Sequence, residues 1–248
     1  MRDLGWLVAR PIAHRGLHDA SRGTIENTPT AVAEAIRFGY AAEVDLQVSA
    51  DGEAMVHHDD ALGRLTDGAG ELRTLSAAAI KAVPFRSGSD RIPTLGQLCD
   101  LVSGRITLVL ELKSRFDGDR CLVERVAKVL ASYAGPVAVM SFDPFQIETL
   151  RAVAPHLARG IVAERHYRHA EWAELPGRER RNMAHLLHGW HTRPDFLAYA
   201  VHDLPAAAPT VARYVFRRPL LAWTVRTTAE RLTASRFADQ MIFEGFRP

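Results

Sequence analysis

Glu43 and Asp45, two positions apart in "AAEVDLQVSADGEAMVHHDD", are the first residues whose spacing suggests chemistry. On a strand, residues at i and i+2 share a face. Two carboxylates facing into a protein repel each other unless positive charge lies between them. A divalent cation is the usual remedy, and oxygen-only ligands favour Mg²⁺ or Ca²⁺ over zinc. With Val44 and Leu46 on the opposite face, the pattern equally suits an antiparallel edge strand whose acidic side meets water. A second pattern, "ITLVLELKSR", sets Glu111 and Lys113 together at the end of an apolar run. Glu111 would complete a small metal site, and Lys113 could hold an anion such as phosphate. Taken alone, the two read as an ion pair where a strand exits into a loop.

Histidines could supply acid–base chemistry. His14, beside Arg15, ends the first apolar run in "PIAHRGLHDASRGTIENTPTA", and His58, beside Asp59, ends the short run after Asp45. Imidazole titrates near neutrality, so two of them beside a cation site could serve as base and acid on opposite sides of a phosphorus centre. The chain has 11 histidines, so most serve other ends. His57 competes with His58, and strand alternation puts the two on opposite faces. His185, His188 and His191 in "HLLHGWH" have a spacing that suits one helix face. Zinc binding is conceivable there, but no carboxylate or cysteine is placed to help, and the flanking "RERRN" and "TRP" predict a polar, exposed lid or contact surface. The chain contains no GxSxG, P-loop or HExxH motif, which removes the common serine hydrolase, NTPase and zincin readings.

The elements that would position these residues alternate. Strands are expected at Val8–Ala13, Ala42–Val48, Ile106–Leu112, Val137–Ser141, Gly160–Ala163, Phe196–Val201, Leu220–Val225 and Gln240–Phe243. Amphipathic stretches lie between them at Thr28–Phe38, Asp119–Tyr133, Pro144–Ala154, Ala206–Arg217 and Thr228–Phe237. About eight strands in alternation with helices predict an α/β protein, a closed parallel (β/α)8 TIM barrel with its active face at the strand C-termini. An open doubly wound sheet would carry a GxGxxG loop after its first strand, and "AHRGLHDASRG" does not match. A short strand at Ala54–His58 follows the turn Ala50-Asp51-Gly52. After it, residues from about 60 to 93 read as a loop-rich insertion, helical around Leu75–Val83 and too small for a domain of its own, so residues 1–248 are expected to form a single barrel domain.

Composition excludes several classes. Net charge is +2, from 31 basic and 29 acidic residues, with no dense Lys/Arg block, so no nucleic-acid partner is expected. Cys99 and Cys121 lack CxxC spacing and read as reduced thiols in a cytoplasmic protein. "MRDLGWLVAR" has no apolar core of a signal peptide, and no apolar run approaches 18 residues, so neither secretion nor a transmembrane segment is expected.

In order along the chain, "AHRG", "ENT", "EVDLQVSADGEAMVHHDD" and "LELK" resemble the glycerophosphodiester phosphodiesterase family, with lesser echoes in "LGRLTDGAG", "IPTL", "SFDP" and "AWTVRT". The resemblance spans nearly the whole chain. It implies a (β/α)8 barrel with a small insertion after the second strand and a metal-dependent site that hydrolyses glycerophosphodiesters to an alcohol and sn-glycerol 3-phosphate. Matched position by position, Glu43, Asp45 and Glu111 would hold one divalent cation, Mg²⁺ or Ca²⁺. His14 and His58 would be the acid–base pair. Arg15 and Lys113 would contact phosphate, Trp223 would line the substrate pocket, and Glu26 with Asn27 would support the loop. The attacker would be water or a neighbouring hydroxyl of the substrate's glycerol. Departures fall at Arg226, where the family commonly has asparagine, and at Glu244 and Gly245, where it often has threonine and aspartate; they bear on which alcohol is accepted. Other readings are the same chemistry on a lysophospholipid or sugar phosphodiester, and a non-catalytic barrel that binds a phosphorylated ligand.

Overall fold

The computed structural model describes residues 2–167 and 172–248. The strands are β1 (Ile12–Ala13), β2 (Ala41–Val48), β3 (Ala54–Val56), β4 (Leu108–Leu112), β5 (Val137–Ser141), β6 (Ala158–Ala163), β7 (Phe196–Ala200), β8 (Leu220–Val225) and β9 (Gln240–Phe243). All but β3 run parallel in the order β1-β2-β4-β5-β6-β7-β8-β9, and β1 closes the ring by pairing with both β2 and β9. The result is a (β/α)8 barrel. β3 lies antiparallel on β2 outside the ring, joined by the Asp51-Gly52 turn in which Gly52 takes φ +77°.

α1 (Gly5–Val8) precedes β1, and between the strands lie α2 (Pro29–Phe38), α3 (Ala77–Ala82), α4 (Leu95–Val102), α5 (Cys121–Leu130), α6 (Pro144–Val153), α7 (Gly177–Ala184), α8 (Gly189–Thr192), α9 (Ala207–Tyr214) and α10 (Thr228–Phe237). Their starts follow local chemistry. Thr28 accepts from the Ala31 N–H ahead of Pro29, Asp143 accepts from the Phe145 N–H ahead of Pro144, and Thr227 forms a reciprocal cap with Glu230. α4 was not expected as a helix. Thr94 and Gln97 form a capping box there, with Gly96 inside the first turn obscuring the pattern.

The first strand is shorter than Val8–Ala13. Gly5–Val8 is a helical turn, and Pro11, which has no N–H to donate to a ladder, precedes the two residues that pair. Alternation along each strand then divides the core. Val44, Leu46, Leu108, Leu110 and Val139 pack outward under the helices. Val109, Ala138, Met140, Phe196 and Leu221 fill the barrel interior, where Leu4 and Leu7 plug its lower end. The same inward parity carries Glu43, Asp45 and Glu111 above that apolar plug. The segment between β3 and α4 has a small core of its own, built on Met55, Leu72, Ile80, Phe85 and Ile92.

Leu7 is fully buried at the barrel floor. Leu7→Ala should therefore lower unfolding stability in urea by about 2–5 kcal/mol, as for other buried leucines. A loss under about 0.5 kcal/mol would show that α1 does not close the barrel.

Candidate active site

The turn after β1 builds the first wall of the site. Arg15 (φ +54°) and Gly16 (φ +78°) both take left-handed conformations. At Gly16 a Cβ would lie 2.8 Å from the Ala31 Cβ and 2.9 Å from its carbonyl carbon, so α2 packs where a side chain would stand. The turn delivers the Arg15 N–H to Glu43 Oε2 (2.9 Å) and the Gly16 N–H to the Glu43 carbonyl (3.0 Å). Asn27 completes this wall from the start of α2. Its Nδ2 donates to Asp45 Oδ2 (2.8 Å), and its Oδ1 accepts from the Asp45 N–H (3.0 Å).

Glu43, Asp45 and Glu111 come together at the top of β2 and β4, with one oxygen from each lying within 4.8 Å of the others, all buried. Two cations sit against them. Lys113 Nζ lies 2.6 Å from Glu111 Oε1 and 2.9 Å from Asp45 Oδ1, and Arg15 Nε is 3.2 Å from Asp45 Oδ2. Three carboxyl groups face two cations, and the one left without a cation partner is Glu43. Burial, then repulsion from Asp45 and Glu111, pushes the Glu43 carboxyl well above its ordinary range. For Asp45, burial acts in the same upward direction, but Lys113 and Arg15 outweigh it and hold the carboxyl low. Glu43 Oε1 is buried without a hydrogen-bond partner among the described residues. An oxygen-only donor set with an orphaned carboxyl oxygen, whose ionisation an added positive charge would favour, fits a hard divalent cation.

Both histidines chosen from the sequence reach the same cleft. His14 Nδ1 lies 2.9 Å from Glu244 Oε2, and His14 Nε2 lies 4.0 Å from Glu43 Oε2. His58 Nδ1 lies 2.8 Å from Asp59 Oδ1. A carboxylate only accepts, so each Nδ1 carries the hydrogen and each Nε2 is left as the unprotonated nitrogen of the neutral ring. Burial lowers the His14 pKa, and the hydrogen bond to Glu244 opposes it. The same hydrogen bond, with burial opposing and Arg226 adding, holds the Glu244 carboxyl at about 2. His57 is buried and is not among the residues that line the cleft, whereas His58 is.

An outer set of ion pairs fixes these groups. Glu26 Oε1 accepts from Arg15 Nη1 (2.8 Å) and from Arg64 Nη2 (2.7 Å), while Arg64 Nε donates to Asp59 Oδ2 (2.6 Å). Arg64 thus ties the segment after β3 to both histidine walls. Arg226 Nη2 donates to Glu244 Oε2 (2.7 Å). Sequence reasoning missed the partnerships of Arg64 and Glu244. Glu244 directly follows a barrel strand, and the strand-end rule that selected His14 would have selected it too.

His14, Arg15, Asp45, His58, Glu111, Lys113 and Trp223 all line one open cleft of about 1240 Å³ at the strand C-termini. Phe116, Phe142 and Trp172 join Trp223 on its far side. His185, His188 and His191 form no such site. α7 ends at Ala184 and α8 begins at Gly189, so the three do not share a helix, and the acidic trio is the only metal-type cluster among the described residues. Residues 168–171 lie outside the described residues.

Residues 14–245 match the model of the glycerophosphoryl diester phosphodiesterase family. The chain belongs to that family. A glycerophosphodiester phosphodiesterase of Caldanaerobacter subterraneus subsp. tengcongensis is 27% identical over 201 residues, covering 77% of this chain and 74% of its own. Bovine glycerophosphodiester phosphodiesterase 1 is 28% identical over 61% of this chain, which spans 48% of that relative's length. Among solved structures, an Oleispira antarctica phosphodiesterase in complex with the product sn-glycerol-3-phosphate superposes with a TM-score of 0.75 at 22% identity, covering 96% of this chain and 94% of the other. A Thermotoga maritima glycerophosphodiester phosphodiesterase gives 0.69 at 20% identity, with 94% and 92% covered. By its family the protein is a phosphodiesterase with the barrel fold of these structures.

Asn27→Ala would strand the buried Asp45 N–H and leave Asp45 Oδ2 with only Arg15 Nε beside it. The expected cost is about 1–3 kcal/mol for the unsatisfied N–H, read as a lower urea midpoint. An unchanged midpoint would mean that Asn27 does not support Asp45.

Proposed function

We propose that the chain, acting as a single barrel domain in the cytoplasm, hydrolyses glycerophosphodiesters to an alcohol and sn-glycerol 3-phosphate. The observation that carries this reading is the buried trio Glu43, Asp45 and Glu111 with its unpartnered oxygen, flanked by two imidazoles that each have a carboxylate behind them. Glu43, Asp45 and Glu111 would hold one Mg²⁺ or Ca²⁺. When bound, such a cation supplies positive charge that stabilises the extra negative charge of a phosphoryl transition state.

The chain's own residues do the rest. Arg15 and Lys113 are cations at the cleft surface and would draw in and orient the phosphodiester anion. One of His14 and His58, as the neutral ring, takes a proton at Nε2 from the attacking oxygen, and the other, entering the step as the imidazolium, gives its Nε2 proton to the departing alkoxide. Glu244 and Asp59 would keep each ring in the tautomer that leaves Nε2 available and would stabilise it when protonated. Glu26 and Asn27 hold the loop of Arg15 and the carboxylate of Asp45. Trp223, with Phe142 and Trp172, would receive the alcohol of the diester.

With Mg²⁺ or Ca²⁺, purified protein should release sn-glycerol 3-phosphate from glycerophosphocholine or a related diester, and a chelator should abolish release. His14→Ala and His58→Ala should each lower kcat by about 10²–10⁴-fold while leaving the thermal midpoint near that of the native protein. Turnover that persists in chelator, or that survives loss of His14, overturns the proposal. A panel that includes lysophospholipids and sugar phosphodiesters identifies the preferred alcohol.

The cation also has a pH signature. Glu43 is held protonated above its ordinary value of 4.5, so as pH rises past that value the unfolded chain gives up this proton before the folded one does. The ion-free protein should therefore lose stability with rising pH through that window. A bound cation removes the penalty, so its stabilising effect should grow with pH. At about 100 times its Kd the ion stabilises by about 2.7 kcal/mol, roughly a 5–10 °C rise in thermal midpoint for a chain of this size. Melts with and without the ion at several pH values measure this; a gain that shrinks as pH rises contradicts the assignment.

A further inference from the structure

The end of the barrel opposite the cleft has a chemistry of its own. It is formed by the loops that lead into the strands, and because β6, β7 and β8 pair in that order, their entry loops are neighbours. The stretch before β7 exposes Leu187, Trp190 (72% exposed) and Arg193. The stretch before β8 exposes Tyr214 (64%), Val215 (67%), Phe216 (61%) and Arg217, with Arg218 half-buried behind them. The Leu197 N–H donates to the Pro219 carbonyl (2.9 Å), which joins the two stretches at the rim.

This sector is positively charged. Asp195 is shared between Arg2 (3.5 Å) and Arg159 (3.7 Å), and Asp239 is taken by Arg213 (2.8 Å). Arg193, Arg217 and Arg218 form no ion pair among the described residues. The excess is felt locally. Burial lowers the Arg159 pKa, Asp195 opposes that, and Arg2, Arg151 and Arg218 push it down further.

From this arrangement we infer that the entry-loop rim around Trp190, Phe216, Arg217 and Arg218 docks on an anionic lipid surface. Large aromatic and aliphatic groups this exposed are unusual for a surface that meets only water. Aromatic rings beside arginines match the headgroup layer of a bilayer, where rings sit between water and acyl chains and guanidinium groups neutralise anionic lipids. A second copy of the chain fits less well. A two-fold contact through this patch would set Arg193, Arg217 and Arg218 against their own counterparts without acids to separate them. A nucleic acid would use the arginines and leave Leu187 and Val215 exposed. Docked by this rim, the barrel keeps its cleft turned to water, so it would take water-soluble diesters near the membrane.

Co-sedimentation of the full chain with vesicles of phosphatidylcholine alone, or with about one-quarter phosphatidylglycerol, tests the inference. Partitioning should favour the anionic vesicles by about 10-fold or more at about 0.1 M NaCl, and the preference should collapse at about 0.5 M. Arg217→Glu with Arg218→Glu, and separately Trp190→Ser with Phe216→Ser, should each weaken anionic binding by about 10-fold, with native thermal melts. Equal partitioning into both vesicles, or native-like binding by a folded double variant, overturns the inference. So does concentration-dependent dimerisation, or RNA binding that displaces the vesicles, if the same substitutions abolish it.

Discussion

The site rests on one electrostatic constraint: a barrel interior that holds more buried carboxyl groups than its own cations can keep ionised. Glu43, Asp45 and Glu111 face inward because strand parity and barrel closure leave them no other direction. Lys113 and Arg15 satisfy Asp45 and part of Glu111, which leaves Glu43 resisting ionisation, with one oxygen unpartnered among the described residues. Removing a carboxylate charge from water without a partner is expensive. The neighbouring structure can be understood as the means of tolerating this acidic trio until a cation and an anionic substrate use it.

The scaffold meets this need with short local devices rather than long ones. Two consecutive left-handed residues, Arg15 and Gly16, turn the chain tightly enough for backbone N–H groups to reach Glu43. A single amide, Asn27, serves both the main chain and the side chain of Asp45. The segment after β3 adds Arg64, which links Glu26 to Asp59 and so couples the Arg15 loop to the His58 wall. Below, the apolar plug of Leu4 and Leu7 makes the barrel floor dry, which strengthens every charge interaction above it. No helix among the described residues is long and apolar enough to cross a membrane.

Much of this was legible in the sequence because the signals were local. The i,i+2 spacing of Glu43 and Asp45, the His-Arg-Gly turn and the strand–helix alternation each lie within a few residues. What sequence could not decide was whether the acidic face of β2 points inward, since parity assigns a pair to one face and only barrel closure says which face is inside. The His14–Glu244 pair joins the two ends of the chain, |i−j| = 230, and exists because β1 and β9 are neighbours in the ring. The histidines at 185, 188 and 191 show the opposite case: a helical spacing that fails because Leu186, at φ +55°, falls between two short helices. α4 was hidden for a similar local reason, a glycine in its first turn.

Anomalous diffraction from crystals grown with Mn²⁺ would show whether the acidic trio is a cation site. One strong peak is expected at bonding distance, about 2.0–2.6 Å, from oxygens of Glu43, Asp45 and Glu111, with Lys113 still beside Glu111. A crystal saturated with Mn²⁺ that shows no density among these three carboxylates, or density only elsewhere, would contradict it.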